Sequence, residues 1–474
     1  MTAHPPPHRP APAALLARIV DMRPGEAALV LRAWISAFCV LATNSLLKPL
    51  RDDVGVEIGS SSLAWSYTGT FVMTALLHPL YAALVRRSTR RRLTPYVHRA
   101  YAIGVLCGFV LLEHGPATLR LPAAYGLFAW ISTLNLLTVS LFWGVMADTL
   151  RPGQARRLFG LMAVGATLGA AGGAAVVWLL AQSTDVLMFV ALAALLLEIG
   201  ARSAAGMRES GDAETDSALE CDQPDARRDT RAPAPARAAS GSAMPVSIPT
   251  AAAPDESTAD RPIGGGAWAG VLHTLRSPYL LGISVYMLLL TTAATFTYAE
   301  QSRAVETYGG APAERREYFA RTELVVNSIC LPVQVLLTGR LLTRLGVGWS
   351  AAMLPLVTAA GFAVLASVGS ASVLSVLFAF QVLRRTSDYA LSRPAREALF
   401  SVTPRTDKYA AKGFIDTFIY RGGDLLAIWV HALWRDAAGR TLTDTAIWMG
   451  AGCAAWTLLS VWLGRIHRRA AGEG

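Results

Sequence analysis

The densest chemistry in the chain lies within residues 371–399. Arg384, Arg385, Asp388, Arg393, Arg396 and Glu397 interrupt an otherwise apolar run there. Asp416, Arg421 and Asp424 follow in the next such run. Arg384–Asp388 and Arg393–Glu397 are spaced i,i+4, so on a helix each pair can partly neutralise itself. Arg384, Arg385 and Arg421 still outnumber their nearest acids. A spare guanidinium fork matches phosphate or carboxylate, so this pattern suits an anionic ligand. The competing reading is that the pairs only fix helix packing. Four further charges, Lys48, Arg51, Asp148 and Glu300, lie at the ends of other apolar runs. They suggest two ion-pair gates, Lys48 or Arg51 with Glu300 at one end and Asp148 with Arg396 at the other. The competing reading there is ordinary helix-end charge in water.

The elements that must position these residues follow from composition. The chain has 474 residues, 53% of them hydrophobic and only 16% charged. Soluble chains carry about 45–50% apolar and about 25% charged residues. Mean hydropathy is +0.39. A soluble enzyme is therefore excluded in favour of an integral membrane protein. A spanning helix needs about 20 mostly apolar residues. Twelve segments qualify: 28–49, 62–85, 94–113, 121–148, 157–181, 185–202, 278–300, 321–343, 347–367, 371–399, 411–434 and 443–464.

Loop charge sets the orientation, because basic loops stay in the cytoplasm. Basic groups follow spans two (Arg86, Arg87, Arg90, Arg91, Arg92), four (Arg151, Arg156, Arg157), eight (Arg340, Arg344) and ten (Arg405, Lys408, Lys412). A further group, Arg465, Arg468 and Arg469, closes the chain. Both termini then lie in the cytoplasm, and the net charge of +10 reads as basic inner loops rather than nucleic-acid binding. At about 1.5 Å per residue, Arg384 and Arg385 lie roughly 20 Å into span ten and Arg421 roughly 15 Å into span eleven. Lys48, Arg51 and Glu300 fall near outer ends, Asp148 and Arg396 near inner ends.

The expected organisation is a cytoplasmic tail over 1–26, a six-helix bundle over 27–202, a disordered linker over 203–270, a second bundle over 271–466 and a short tail over 467–474. Residues 209–262 hold 11 acidic and 5 basic side chains and few large apolar ones, as disordered linkers do. Cys39, Cys107, Cys221, Cys330 and Cys453 form no CxxC pair, so neither a disulfide framework, a metal nor a cofactor is expected. Gly165, Gly169 and Gly173 put small residues on one face of span five, as tight helix packing requires. His78 and His98 suit either a proton relay or a structural hydrogen bond.

The two halves echo one another weakly. Arg151-Pro152…Arg156-Arg157-Leu158-Phe159-Gly160 is similar to Thr403-Pro404…Lys408…Lys412-Gly413-Phe414. With the six-linker-six layout, this points to an all-α protein of two parallel six-helix repeats, as in major-facilitator transporters.

Several stretches resemble the ATP:ADP antiporter family and its bacterial NTP/NDP exchange relatives. They are Leu47-Lys48-Pro49-Leu50-Arg51-Asp52, Leu141-Phe142-Trp143-Gly144 ahead of Asp148, Tyr298-Ala299-Glu300, and Arg393-Pro394-Ala395-Arg396-Glu397-Ala398-Leu399-Phe400. The last continues through Asp407-Lys408-Tyr409 and Phe414-Ile415-Asp416 to Tyr420-Arg421-Gly422-Gly423-Asp424. The resemblance implies a twelve-span nucleotide exchanger relying on charges in helices one, four, seven and ten. By motif position those charges are Arg51, Asp148, Glu300 and Arg396. Arginine stands where the family has lysine at two of these places, and the acidic linker is an insertion.

The leading expectation is a non-enzymatic secondary transporter of an organic anion in a bacterial cytoplasmic membrane. Nucleotide exchange is the family-implied reaction. Arg384, Arg385, Arg396, Arg421, Lys48 and Arg51 are the substrate-binding candidates. Asp148, Glu300, Asp388, Glu397, Asp416 and Asp424 are the gating or coupling candidates. The alternatives are a proton-coupled carrier of another anion and a membrane sensor using the linker as docking element. The expected partners are the small-molecule anion and the lipid bilayer, with no nucleic acid and with a monomer compatible.

Overall fold

The computed structural model describes residues 26–88, 90–150, 152–221, 274–403, 412 and 414–470. Every long regular element among them is helical. The first half holds α1 (Ala27–Ile58), α2 (Leu63–Arg87), α3 (Arg90–His114), α4 (Ala117–Thr149), α5 (Pro152–Leu180) and α6 (Val186–Cys221). The second holds α7 (Pro278–Tyr308), α8 (Pro312–Val333), α9 (Gly339–Ser367), α10 (Val373–Ser387), α11 (Tyr420–Ala432) and α12 (Leu442–Ala470). Helix α10 continues through a π-turn, Asp388–Ser392, into Arg393–Leu399.

Local chemistry sets several boundaries. Ser277 accepts a hydrogen bond from the Leu280 amide at 3.4 Å and precedes Pro278, so a capping hydroxyl and a pre-set φ start α7. Helix α1 runs past Pro49 and stops only at Gly59, whose φ of 100° is left-handed. Gly346, at φ 75°, separates the end of α8's continuation from the long part of α9.

Nine of the described helical stretches are long and apolar enough to cross a membrane, one of them the 56-residue run over α8 and α9. The charged α10 and the π-interrupted α11 complete the set of twelve. Several ends differ from the sequence expectation. Helix α1 extends nine residues beyond 49, and α8 starts at Pro312 rather than 321. Helix α6 continues to Cys221, into the segment assigned to the linker from residue 203. Residues 209–221 contain Ala, Glu and Leu, which propagate a helix even where hydropathy falls. The remainder of the linker lies outside the described residues.

The repeat is visible in the packing. In the first half α1 packs on α4, α5 and α6, and α3 on α4 and α6. The second half repeats each of these six helices later, with α7 on α10, α11 and α12, and α9 on α10 and α12. Gly169 and Gly173 face the carbonyls of Phe38 and Ala42, and Gly165 faces the Trp34 ring. A Cβ at Gly169 or Gly173 would collide with α1 backbone, so the glycine run serves close packing. His98 Nδ1 lies 3.0 Å from the Leu197 carbonyl, a structural hydrogen bond that ties α3 to α6.

The halves meet through α5 on α8, α2 on α11, and α1 on both α7 and α8. Val56, Val305 and Phe319 form an apolar plug between the halves at the end where α1 and α7 terminate. Leu63, Ala64, Phe128, Ala299 and Ile428 form a second one nearby.

Candidate functional site

Two adjoining cavities, of about 310 Å3 and about 200 Å3, lie between the halves and share Arg51, Tyr67 and Asp424. Together they fall in the range of small-molecule sites, about 300–1,000 Å3. Their walls present Lys48, Arg51, Arg384, Arg385, Arg393 and Arg421 against Asp52, Glu323, Asp388 and Asp424. Six cations face four carboxylates. Aromatic faces from Tyr67, Phe71, Phe128, Tyr298, Tyr389 and Tyr420 line the same space.

Most of the cations are held by geometry that the chain makes locally. Arg51 Nη2 lies 2.5 Å from Asp52 Oδ1, Nη1 donates to Ser132 Oγ at 3.2 Å, and the guanidinium sits 5.1 Å over the Phe128 ring. Tyr298 of the other half donates to the same Asp52 oxygen at 3.0 Å. Arg421 is 3.8 Å from Asp424, one turn along α11. Asp424 also accepts from Thr295 at 3.2 Å. Arg384 is 7% exposed and donates to Gln381 at 3.2 Å, and its Nε has no partner among the described residues. A relay through Gln381, Gln301 and Tyr318 links it to α7 and α8.

Asp388 pairs with Arg393, at 3.6 Å, and not with Arg384. The π-turn explains the change, because its i→i+5 bonding widens the turn and brings residues five apart onto one face. Glu397 likewise leaves Arg393 and pairs with Lys412 at 2.5 Å, away from the cavity.

The strongest cluster centres on Glu323 of α8, a residue the sequence expectation left out. Lys48 Nζ lies 2.5 Å from its Oε1, and Arg385 binds both of its carboxylate oxygens, the Nη2–Oε2 contact being 2.8 Å. Arg385 also donates to the Tyr389 hydroxyl at 3.2 Å. The signal for Glu323 was a carboxylate inside an apolar run. With span eight taken to start at 321 it looked terminal, whereas it sits eleven residues into a helix that starts at Pro312.

The gate assigned to Glu300 has other partners in this structure. Glu300 is 3% exposed and lies 3.0 Å from His431 and 2.8 Å from Arg435. All three belong to the second half, and none lines the two cavities. The reason is that α1 continues to Ile58, so Lys48 and Arg51 sit deep in the bundle rather than at its rim. At the rim Asp53 takes Arg315 at 2.7 Å and Arg316 at 3.2 Å, joining α1 to α8. Ser60 N–H donates to Glu306 and Gln182 to Glu317, each at 3.0 Å.

At the opposite end no ion pair joins the halves among the described residues. Asp148 is exposed at the end of α4. Arg396 donates to Met287 Sδ at 3.3 Å and is not paired with Asp148. The side chain of Asp416 lies outside the described residues.

Known structures share this architecture. A nucleoside transporter, NupG, superposes with a TM-score of 0.57 at 12% identity, over 92% of this chain and 98% of that one. A bacterial homologue of the iron transporter ferroportin, in an inward-facing state, gives 0.59 at 11%, over 93% and 98%. The xylose transporter XylE from E. coli, in an inward-open conformation, gives 0.53 at 12%, over 90% and 94%. No family model and no curated protein matches the sequence. The chain is thus an all-α, multi-pass membrane protein with the major-facilitator fold, two six-helix repeats around a central cavity.

Proposed function

We propose that this protein is a secondary transporter of an organic anion that works by alternating access between its two halves. The observation that carries the reading is the excess of cations around one cavity at the interface of the halves. Gathering six cations against four carboxylates around one cavity within the bundle is costly unless an anion completes the set. Arg384, Arg385, Arg421, Lys48 and Arg51 would bind that anion, joined by Arg393. Arg396 stands outside the cavity lining and would act in the other conformation. The aromatic lining suits a planar base beside a phosphate, and the motif resemblance favours nucleotide exchange over other organic anions. The solved nucleoside transporter of the same fold is compatible with that choice.

The basic turns support an orientation in a bacterial cytoplasmic membrane with the rim formed by Asp53, Arg315 and Arg316 outside and both termini inside. The present conformation then faces the cytoplasm. A second reading, proton-coupled anion uptake, draws on the buried carboxylates Asp388 and Asp424 at the cavity wall.

Reconstituted vesicles test both. Uptake of external ATP that needs ADP inside supports exchange. Uptake driven by a pH gradient into empty vesicles moves the assignment to proton coupling. Transport of other phosphates but no nucleotide keeps the anion reading and removes the nucleotide. A protein that moves no phosphorylated or carboxylate solute refutes the whole proposal.

A further inference from the structure

Every acid in the cavity lining except one pairs with a cation close to it in sequence. Asp52 is adjacent to Arg51, Asp424 is three residues from Arg421 and Asp388 five from Arg393. Such pairs travel on one helix and persist in any arrangement of the halves. Glu323 differs. It sits on α8, its partners come from α1 and α10, and Lys48 belongs to the opposite half. Among the described residues, Lys48–Glu323 is the only ion pair in the cavity lining that crosses between the halves.

We infer that Glu323 is a built-in substitute for the substrate anion, which allows the empty protein to close its outer end. The inference rests on the anion-transport reading above. Closing that end brings Lys48 against Arg385 across the interface. Without an anion between them, the two cations would repel in a site of low dielectric. Glu323 accepts from both and is itself 5% exposed, so it fills the place a phosphate or carboxylate would take. An arriving anion competes with it for the same two donors.

The consequence concerns the transport cycle. A carrier whose cationic site closes only around substrate is confined to exchange. A carrier with its own anion can close while empty, return, and perform net uptake. Glu323 therefore sets the ratio of net uptake to exchange, a role distinct from binding affinity.

Two measurements test this. In a background lacking the native cysteines, spin labels at Ser61→Cys and Thr307→Cys report the outer distance with no anion present. The empty parent and Glu323→Asp should be predominantly closed. Empty Glu323→Gln should lose at least about tenfold in the ratio of closed to open forms, as expected for removing one partner of a buried pair. Adding ATP should restore closure. Lys48→Gln, which removes the same link from the other half, should open the empty protein without restoration. In vesicles, Glu323→Gln should lose at least about tenfold more ATP uptake into empty vesicles than into ADP-loaded ones.

Empty Glu323→Gln that remains as closed as the parent overturns the inference, as does an equal loss in both transport modes. If the parent moves no nucleotide at all, the substrate assignment fails. The distance measurement on the empty protein still decides the role of Glu323.

Discussion

Helices α4 and α10 hold equivalent places in the two repeats, yet they are built in opposite ways. Helix α4 is one regular helix over Ala117–Thr149 and turns Phe128, Ser132 and Asn135 to the cavity. Helix α10 is broken by the π-turn at Asp388–Ser392 and presents Gln381, Arg384, Arg385, Asp388, Tyr389 and Arg393. One wall is neutral and continuous, the other charged and irregular. The charges explain the irregularity. A π-turn adds a residue to the circuit and spreads Arg384, Arg385, Asp388 and Arg393 around more of the helix than a regular turn allows. The two repeats thus differ in what they bring to the cavity, the first half supplying a smooth wall and a compact charge group on α1, and the second most of the cations.

That contrast can be broken at several points. The largest effect should come from Arg385→Ala, which strands Glu323 without its bidentate partner. Uptake at low substrate should fall at least about 100-fold, as expected for one member of a buried ion pair. An effect no larger than that of a neutral wall residue would mean the charged wall does not bind the cargo. Next is deletion of Ala390, which should convert the π-turn to regular helix and rotate Arg393–Leu399 relative to Arg384. The protein should still insert, and transport should drop by roughly tenfold or more through misplaced charges. Full activity after the deletion would make the π-turn incidental.

A smaller, different effect is expected at Glu300. Glu300→Gln leaves Arg435 without its carboxylate, so thermal stability should fall by about 1–3 kcal/mol in detergent. Apparent affinity should change less than for Arg385→Ala. A pure affinity loss with unchanged melting would give Glu300 a part in substrate binding instead. Smallest is Asn135→Ala on the smooth wall. Its loss should be about tenfold or less in apparent affinity, the scale of one neutral hydrogen bond. A larger loss would show that the two walls share the recognition.

The fold was legible in the sequence because hydropathy and loop charge report the membrane directly. The twelve spans, the six-and-six division and the glycine face of α5 all follow from composition and spacing. Seven of the twelve site candidates, Arg384, Arg385, Arg421, Lys48, Arg51, Asp388 and Asp424, line the cavities. What the sequence concealed was partnership. An i,i+4 rule assigned Asp388 to Arg384, and only the π-turn shows why Arg393 is its partner. Hydropathy ended α1 at residue 49 and began α8 at 321, because charges at Arg51, Asp52, Asp53, Arg315 and Arg316 lower the local mean. Asp53 pairs with Arg315 and Arg316 across the interface and Arg51 with its neighbour Asp52, which is how these charges enter the helices. Glu323 was hidden by that shift in the boundary.

Five of the six cations around the cavity are arginines, and a guanidinium keeps its charge throughout the physiological range. The part of the site's attraction that comes from its arginines is therefore nearly fixed from acid to neutral pH. A phosphate monoester is not fixed, since its second ionisation falls near pH 6. A rise in transport between about pH 5 and 7 would then follow the ionisation of the cargo, while a sulfonate or a strong carboxylate would show a flat profile. Under the proposed exchange reading, the acidity dependence of uptake is a fingerprint of the anion carried.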